Sequence, residues 1–152
     1  MGIVLFYHLT RSSAEQTARV LIARARQQGW RLMIRGTQMA ELNRLDARLW
    51  TTPEDGFLPH GLAGGPHDCR QPVLLGTGPA TNDARGIILI DGAETDPAEV
   101  QALERVWILF DADAPERLSH ARGQWKRLTD AGVAAQYWSE ETGKWVKKAE
   151  KG

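Results

Sequence analysis

The stretch that decides the fold is IVLFYHLTRSSAEQTARVLIARARQQGWRLMIR, residues 3–35. Ile3–Leu9 is a nearly continuous apolar run, as expected for a strand that is covered on both faces. An amphipathic helical segment follows, which we expect to begin with a capping box formed by Ser12 and Glu15. A second short apolar run, Arg31–Arg35, completes a β-α-β unit. Such a unit predicts parallel strands joined by a right-handed crossover.

The rest of the chain repeats this alternation. Helical patterns recur at residues 38–50, 97–103 and 115–131, and strand patterns recur at residues 72–76, 86–91, 105–110 and 133–138, with an edge strand at 144–146. Asp96 and Asp113 are the expected N-caps of the last two helices. The alternation predicts a three-layer α/β domain with a mostly parallel central sheet and helices on both faces. We expect this single domain to span residues 1–146 and a flexible basic tail to follow at 147–152.

Composition and charge narrow the classes of function. The 152 residues include 19 basic and 19 acidic ones, so the formal net charge is zero at pH 7. A neutral chain argues against broad adhesion to nucleic acid, and any electrostatic role must come from a local cluster. The single cysteine, Cys69, excludes an intrachain disulfide and suits a reducing cytoplasm. The N-terminal apolar run is too short for a signal peptide or a membrane span, so we expect a cytoplasmic protein without a membrane partner.

The segment LDARLWTTPEDGFLPHGLAG, residues 45–64, departs from ordinary loop composition. The helix before it should end at Thr52, because the residue that precedes a proline is disfavoured in the α region. The segment keeps the turn residues that are usual in surface loops. It also carries large apolar side chains, namely Trp50, Phe57, Leu58 and Leu62. Either these side chains fold back onto the core or they form an apolar surface for a partner.

One pattern favours catalysis. Asp111 and Asp113 follow a strand that is predicted to be buried, at the end where open α/β sheets bind ligands. Two aspartates there would hold a magnesium ion and a phosphate, which gives the alternative function of a small magnesium-dependent, phosphate-handling enzyme. In the other interpretation Asp113 caps a helix and Asp111 shapes the turn. We favour this second interpretation because no phosphate-binding motif accompanies the pair.

Other catalytic and metal-binding motifs are incomplete. Gly76-Thr77-Gly78 begins like a dinucleotide-binding loop, but Pro79 breaks the glycine pattern. The histidines and the cysteine within residues 60–69 lack the second ligand pair that zinc requires. The G-x-S-x-G nucleophile elbow does not occur in the sequence. We therefore expect no catalytic residue, no cofactor and no metal.

A basic and aromatic group lies on the helix predicted over residues 115–131. Arg122 and Lys126 are four residues apart, so their charged ends share one helix face, and Trp125 lies between them. Cations beside an indole can bind a carboxylate or an acidic peptide. The alternative is a solvated helix flank beside a core tryptophan. Direct binding of single-stranded DNA by the tryptophans and lysines is a further hypothesis, which the neutral net charge disfavours.

Taken together, these segments resemble the chi subunit family of bacterial DNA polymerase III. The likeness covers nearly the whole chain, including FYHL at residues 6–9, and it is strongest along residues 45–64. It resumes at residues 118–132, with the pattern A-R-x-x-aromatic-K at Ala121, Arg122, Trp125 and Lys126. The resemblance implies a Rossmann-like α/β protein without catalytic activity, which acts as an adaptor in the clamp-loader complex during DNA replication.

The resemblance also implies partners. Arg122, Trp125 and Lys126 stand where the family binds the acidic C-terminal tail of single-stranded-DNA-binding protein. Trp50 and Phe57 stand where the family contacts the psi subunit. Contact with nucleic acid would then be indirect. Three positions depart from the usual pattern: Trp125 replaces a frequent tyrosine, Gln124 replaces a frequent basic residue, and Asp111 adds a negative charge near the expected groove.

Overall fold

The computed structural model describes residues 2–51, 60–65, 68–111 and 113–151. In this part of the chain eight strands form one sheet, and their bounds are β1 Ile3–Leu9, β2 Leu32–Arg35, β3 Gly61–Leu62, β4 Val73–Gly76, β5 Gly86–Leu89, β6 Arg105–Asp111, β7 Ala134–Ser139 and β8 Val146–Lys151. The α-helices are α1 Ala14–Gln27, α2 Met39–Thr51, α3 Pro97–Ala102 and α4 Pro115–Asp130.

The strand order is β3-β4-β2-β5-β6-β1-β7-β8. Every neighbouring pair is parallel except β7 and β8, which are antiparallel. Parallel neighbours need crossover connections, and the four helices supply most of them. The sheet is therefore mostly parallel, as the opening β-α-β pattern predicts.

The sheet divides the core into two layers. On one face, α1 and α2 bury an apolar stripe that includes Leu21 and Leu42. On the other face, α3 and α4 bury Val100 and Leu128. Helices on both faces of a mostly parallel sheet confirm the predicted three-layer α/β fold.

The predicted capping box of α1 is displaced by one residue. Ser13, not Ser12, is the N-cap: its hydroxyl accepts from the Gln16 backbone N–H at 3.1 Å, and the Gln16 side chain accepts from the Ser13 N–H at 2.9 Å. Ser12 is engaged elsewhere, because its hydroxyl donates to Glu140 at 2.9 Å. The Asp96 cap of α3 is confirmed, since the Glu99 N–H donates to its carboxylate at 2.8 Å.

Two further expectations are corrected. Asp113 does not cap α4: the N-cap is Ala114, which makes no side-chain cap bond, and Pro115 opens the helix. Residues 146–151 form the edge strand β8, where the sequence predicted a tail after residue 146. All six residues of β8 are exposed and the strand pairs with β7. Backbone hydrogen bonds rather than apolar burial therefore hold it.

Candidate functional site

Helix α4 carries the predicted basic and aromatic group on its flank. The stripe of α4 that faces the sheet consists of Ala121, Gln124 and Leu128, all of which are buried. One step around the helix, Trp125 is half-buried, while Arg122 and Lys126 are exposed. The indole therefore lies at the boundary between core and solvent, with a cation on each side of it along the helix.

An aromatic floor lies beneath Trp125. Its indole packs edge-on against the Phe6 ring at 5.4 Å and against the Tyr137 ring at 6.3 Å between centroids. Phe6 in β1 pairs with Tyr137 in β7, so the sheet register places both rings under the helix. Phe6 and Tyr137 are not among the site residues that the sequence predicts. Successive side chains of a strand point to opposite faces, so the sequence narrows each ring to one of two faces, and only the strand order brings the two rings together.

The floor continues to His8 and Phe110. The Tyr137 hydroxyl and His8 Nδ1 are hydrogen-bonded at 2.9 Å, and the His8 ring stacks on Phe110 at 5.0 Å with a 12° interplanar angle. Nε2 of His8 is buried and has no hydrogen-bond partner among the described residues. These contacts orient Tyr137, whose ring supports Trp125. Three aromatic rings and a histidine thus form one continuous surface under Trp125 and α4.

The electrostatics of the site come from two cations. Burial raises the pKa of Tyr137, and the positive charge of Arg122 opposes that rise, which places Arg122 within electrostatic reach of the aromatic floor. Arg122 pairs with no carboxylate in the described part of the chain. Nζ of Lys126 lies 3.3 Å from Asp130, but the two side chains are 80% and 65% exposed. A pair so open to solvent is weak, so Lys126 can exchange Asp130 for another anion.

Two neighbouring residues do not contribute to this surface. Arg127 turns towards the loop before α3, where it pairs with Glu94 at 2.9 Å and donates to the Thr95 carbonyl at 2.9 Å. Gln124 is 2% exposed, and its amide donates to the Ala93 carbonyl at 3.3 Å. Because Gln124 points into the core, its side chain does not contribute to the exposed side of α4.

The apolar segment before β3 is described only at its ends. Phe57 lies outside the described residues, and of Trp50 only the backbone, within α2, is described. At the far end, the ring of His60 is buried and its Nε2 lies 3.1 Å from the Asp46 carbonyl oxygen. Leu62 in β3 packs partly buried against the core. At Leu62, the first of the two alternatives holds, because this side chain folds back onto the core and does not form an exposed apolar surface.

The catalytic alternative gains no support from the described geometry. Asp111 and Asp113 are both exposed, and no group of three or more potential metal ligands occurs among the described residues. Gly76 has a packing reason rather than a nucleotide-binding one. A Cβ at that position would lie 2.8 Å from the Ala63 Cβ, so the glycine lets the chain after β3 approach β4.

The position where this type of fold commonly binds phosphate is filled by the chain itself. The backbone N–H groups of Thr10, Arg11 and Ser12, between β1 and α1, donate to Glu140 Oε2 at 3.2, 3.3 and 2.9 Å. A loop of this kind before a helix is a ready anion site. Glu140 is 5% exposed. Burial raises its pKa, but the hydrogen bonds from Ser12, Arg11 and Thr10 outweigh that effect and hold the pKa below its usual value.

The described helices include none that is long and apolar enough to cross a membrane. The fold and the site together define a Rossmann-like α/β domain whose exposed chemistry is that of a binding surface, with two cations beside an indole. Residues 1–136 match the family model of the DNA polymerase III chi subunit, HolC, and the chain belongs to this family. The members of this family are non-catalytic accessory subunits of DNA polymerase III.

A curated relative agrees with the family. Over 82 residues the chain is 32% identical to the DNA polymerase III subunit chi of Pseudomonas aeruginosa. The matched region is 51% of this chain and 56% of that protein, so the chain spans about half the length of the curated relative. Family membership indicates an accessory role in DNA replication.

Proposed function

We propose that this protein is an adaptor subunit of the clamp-loader part of DNA polymerase III and works in the cytoplasm. In this proposal Arg122, Trp125 and Lys126 bind the acidic C-terminal tail of single-stranded-DNA-binding protein. The segment around Trp50 and Phe57 binds the psi subunit. DNA is then reached through the protein that coats it.

The observation that carries the proposal is the position of Trp125, half-buried on an aromatic floor between two exposed cations. A tail that ends in a large apolar side chain and carries carboxylates needs both elements. The indole and the rings beneath it offer apolar contact, and the cations offer charge-assisted hydrogen bonds. Arg122 is the stronger donor of the two, because it pairs with no described carboxylate and its guanidinium can bind a carboxylate through two N–H groups.

The same geometry predicts the character of the binding. The two cations are exposed, so added salt screens their attraction, and raising ionic strength from about 0.1 M to about 1 M shortens the Debye length from about 10 Å to about 3 Å. A few contacts on an open surface give weak affinity. A second, apolar contact to the clamp loader would keep the protein attached while the tail exchanges, and the effective concentration of the tail would compensate for its weak affinity.

A titration of the purified protein with a synthetic peptide of the tail tests the first half of the proposal. We expect micromolar binding that weakens with salt and falls at least about tenfold in Lys126→Glu, the size expected for replacing attraction by repulsion. Lys148→Glu is the matched control, because it makes the same charge reversal on the exposed strand β8. Absence of binding at low salt, or equal losses in both variants, would overturn the assignment.

Co-purification with the psi subunit tests the second half. The double variant Trp50→Ala/Phe57→Ala should lose psi while still binding the tail peptide with unchanged affinity. Loss of both activities together would indicate a folding defect, which circular dichroism detects directly. Retention of psi by the double variant would show that the partner binds elsewhere.

A further inference from the structure

A second groove lies on the opposite face of the sheet from Trp125. It is bounded by Val20 and Arg24 of α1 on one side and by Trp145 on the other, and β1 and β7 form its floor. Its volume is 560 Å³, within the range of about 300–1,000 Å³ that is usual for specific binding sites. We call it the α1 groove.

The groove follows from the strand order. β7 and β8 extend the sheet beyond β1, and no further helix follows β7 in the described part of the chain. All residues of β8 are exposed, so nothing in the described chain covers this end of the sheet. On the face of the sheet that carries the groove, α1 and α2 cover the strands on the opposite side of β1 from β7. The α1 groove is thus the uncovered end of a helical layer that covers the rest of this face.

Exposed apolar surface concentrates at the α1 groove. Among the described residues four large apolar side chains are more than a third exposed, and two of them, Val20 at 50% and Trp145 at 37%, line the groove. A third, Val146, follows Trp145 directly. The Trp145 ring packs on Tyr7 at 4.8 Å between centroids with a 33° interplanar angle, which holds the indole against the floor. Such a concentration is typical of an interaction site.

The charged side chains that line the α1 groove are positive. Among the described residues its charged lining residues are Arg24 and Arg105, and none of the described carboxylates lines it. Arg24 pairs with no described carboxylate, and the guanidinium of Arg105 lies 5.9 Å above the Trp30 ring. Burial raises the pKa of Tyr7, and both arginines oppose that rise, so their fields reach the hydroxyl inside the groove.

Glu150, which is hydrogen-bonded to the lining residue Gln136, is already engaged. Gln136, which lines the groove, donates to Glu150 at 2.9 Å, and Glu150 is also paired with Lys147 at 3.2 Å. The side-chain oxygen of Gln136 accepts a hydrogen bond from the Trp138 indole N–H at 3.0 Å. The Gln136 amide and the Trp138 indole N–H are therefore satisfied internally, whereas neither arginine is paired with a described carboxylate.

From this complementarity we propose that the α1 groove binds a segment of a partner protein that presents a large apolar side chain next to carboxylates. The apolar side chain enters between Val20 and Trp145, and the carboxylates pair with Arg24 and Arg105. The groove lies across the sheet from the α4 site, so both can be occupied at once. It is independent of the function proposed for Arg122, Trp125 and Lys126.

The experiment is a selection of short random peptides displayed on phage, performed against the variant Arg122→Ala/Lys126→Ala so that the α4 site is disabled. We expect the enriched peptides to share an apolar residue flanked by Asp or Glu. Their affinity, measured with synthetic copies, should fall at least about tenfold in Arg24→Glu. Arg26→Glu is the matched control, since it makes the same change two residues along α1 outside the groove lining, and it should shift affinity less than about twofold.

A second variant tests the apolar half. Trp145→Ala removes an exposed ring from the groove and should weaken the same peptides at least about fivefold, in the range expected for an aromatic contact. Enriched peptides without carboxylates, equal losses in Arg24→Glu and Arg26→Glu, or failure to enrich any peptide would each overturn the proposal. Failure of the tail titration at α4 would leave these results unchanged, so the two proposals are separable.

Discussion

The β1–α1 loop and the exposed side of α4 both offer donors to an anion, but they differ in whether the anion is already present. In the loop, three backbone N–H groups and the Ser12 hydroxyl surround the buried carboxylate of Glu140. On α4, Arg122 has no carboxylate partner among the described residues, and Lys126 has one that is open to solvent. The loop is a closed site and the helix is an open one.

The difference bears on the adaptor function proposed above, because the anion site usual in this architecture is closed. In nucleotide-binding relatives of this architecture the loop after the first strand receives a phosphate. Here a side chain from the end of β7 fills that position and ties the two strands together. In the function proposed above, recognition of an external anion depends on side chains displayed on a helix, where contacts are weaker and reversible.

The largest effect should come from opening the closed site. Glu140→Ala leaves the N–H groups of Thr10, Arg11 and Ser12 without their acceptor, and we expect a loss of about 2–3 kcal/mol in the free energy of unfolding. Urea denaturation followed by circular dichroism measures it. Glu141→Ala, at the exposed neighbouring position, should change stability by less than about 0.5 kcal/mol. Equal effects of the two substitutions would refute a structural role for the Glu140 carboxylate.

The closed site should also make stability depend on pH in a defined direction. Because the folded-state pKa of Glu140 lies below its usual value, its contribution is present above the unfolded-state pKa of about 4.3 and is lost as the pH falls through the folded-state pKa. The difference in unfolding free energy between wild type and Glu140→Gln should therefore be constant near neutral pH and shrink in acid. A difference that grows below about pH 4 would contradict this sign.

A substitution in the open site on α4 should change the affinity for the tail peptide rather than the free energy of unfolding. Arg122→Glu reverses a charge that has no described partner, so the unfolding free energy should stay within about 0.5 kcal/mol while tail-peptide affinity falls at least about tenfold. Isothermal titration calorimetry and urea denaturation of the same preparation give both numbers. Arg26→Glu, an exposed change on α1, is the control for the charge reversal. A stability loss comparable to that of Glu140→Ala would mean that Arg122 has a structural role.

The sequence predicted the fold well where apolar patterns carry the information. The opening β-α-β unit, the three-layer arrangement and most element bounds follow from periodicity alone. The cap of α1 did not, because Ser12 and Ser13 each have a suitable partner three residues on. The choice is made by Glu140, which engages Ser12 from the far end of the chain. Likewise the edge strand predicted at 144–146 extends through Lys151 as β8, and this extent was missed because the pairing depends on backbone hydrogen bonds and the side chains are all exposed.

The same limit applies to the α4 site. Helical spacing grouped Arg122, Trp125 and Lys126 correctly, since residues three and four apart always share a helix face. Phe6 and Tyr137 come from strands whose adjacency is decided by the whole sheet. A single sequence indicates where the strands lie but not the order in which they pair. The local half of the site was therefore predictable, and the floor was not.

The smallest expected effect tests how open the helix site is. Asp130 lies one turn beyond Lys126 and competes with any incoming carboxylate for the same ammonium group. Asp130→Asn removes that competitor and should strengthen tail-peptide binding about twofold, because an exposed pair is worth about 0.3–0.5 kcal/mol. Glu116→Gln, near the start of α4, makes the same charge change away from Lys126 and should leave affinity nearly unchanged. Calorimetry at low salt measures the tail-peptide affinities of the two variants. Weaker binding in Asp130→Asn would mean that Asp130 holds Lys126 in its binding position rather than competing with the tail for the ammonium group.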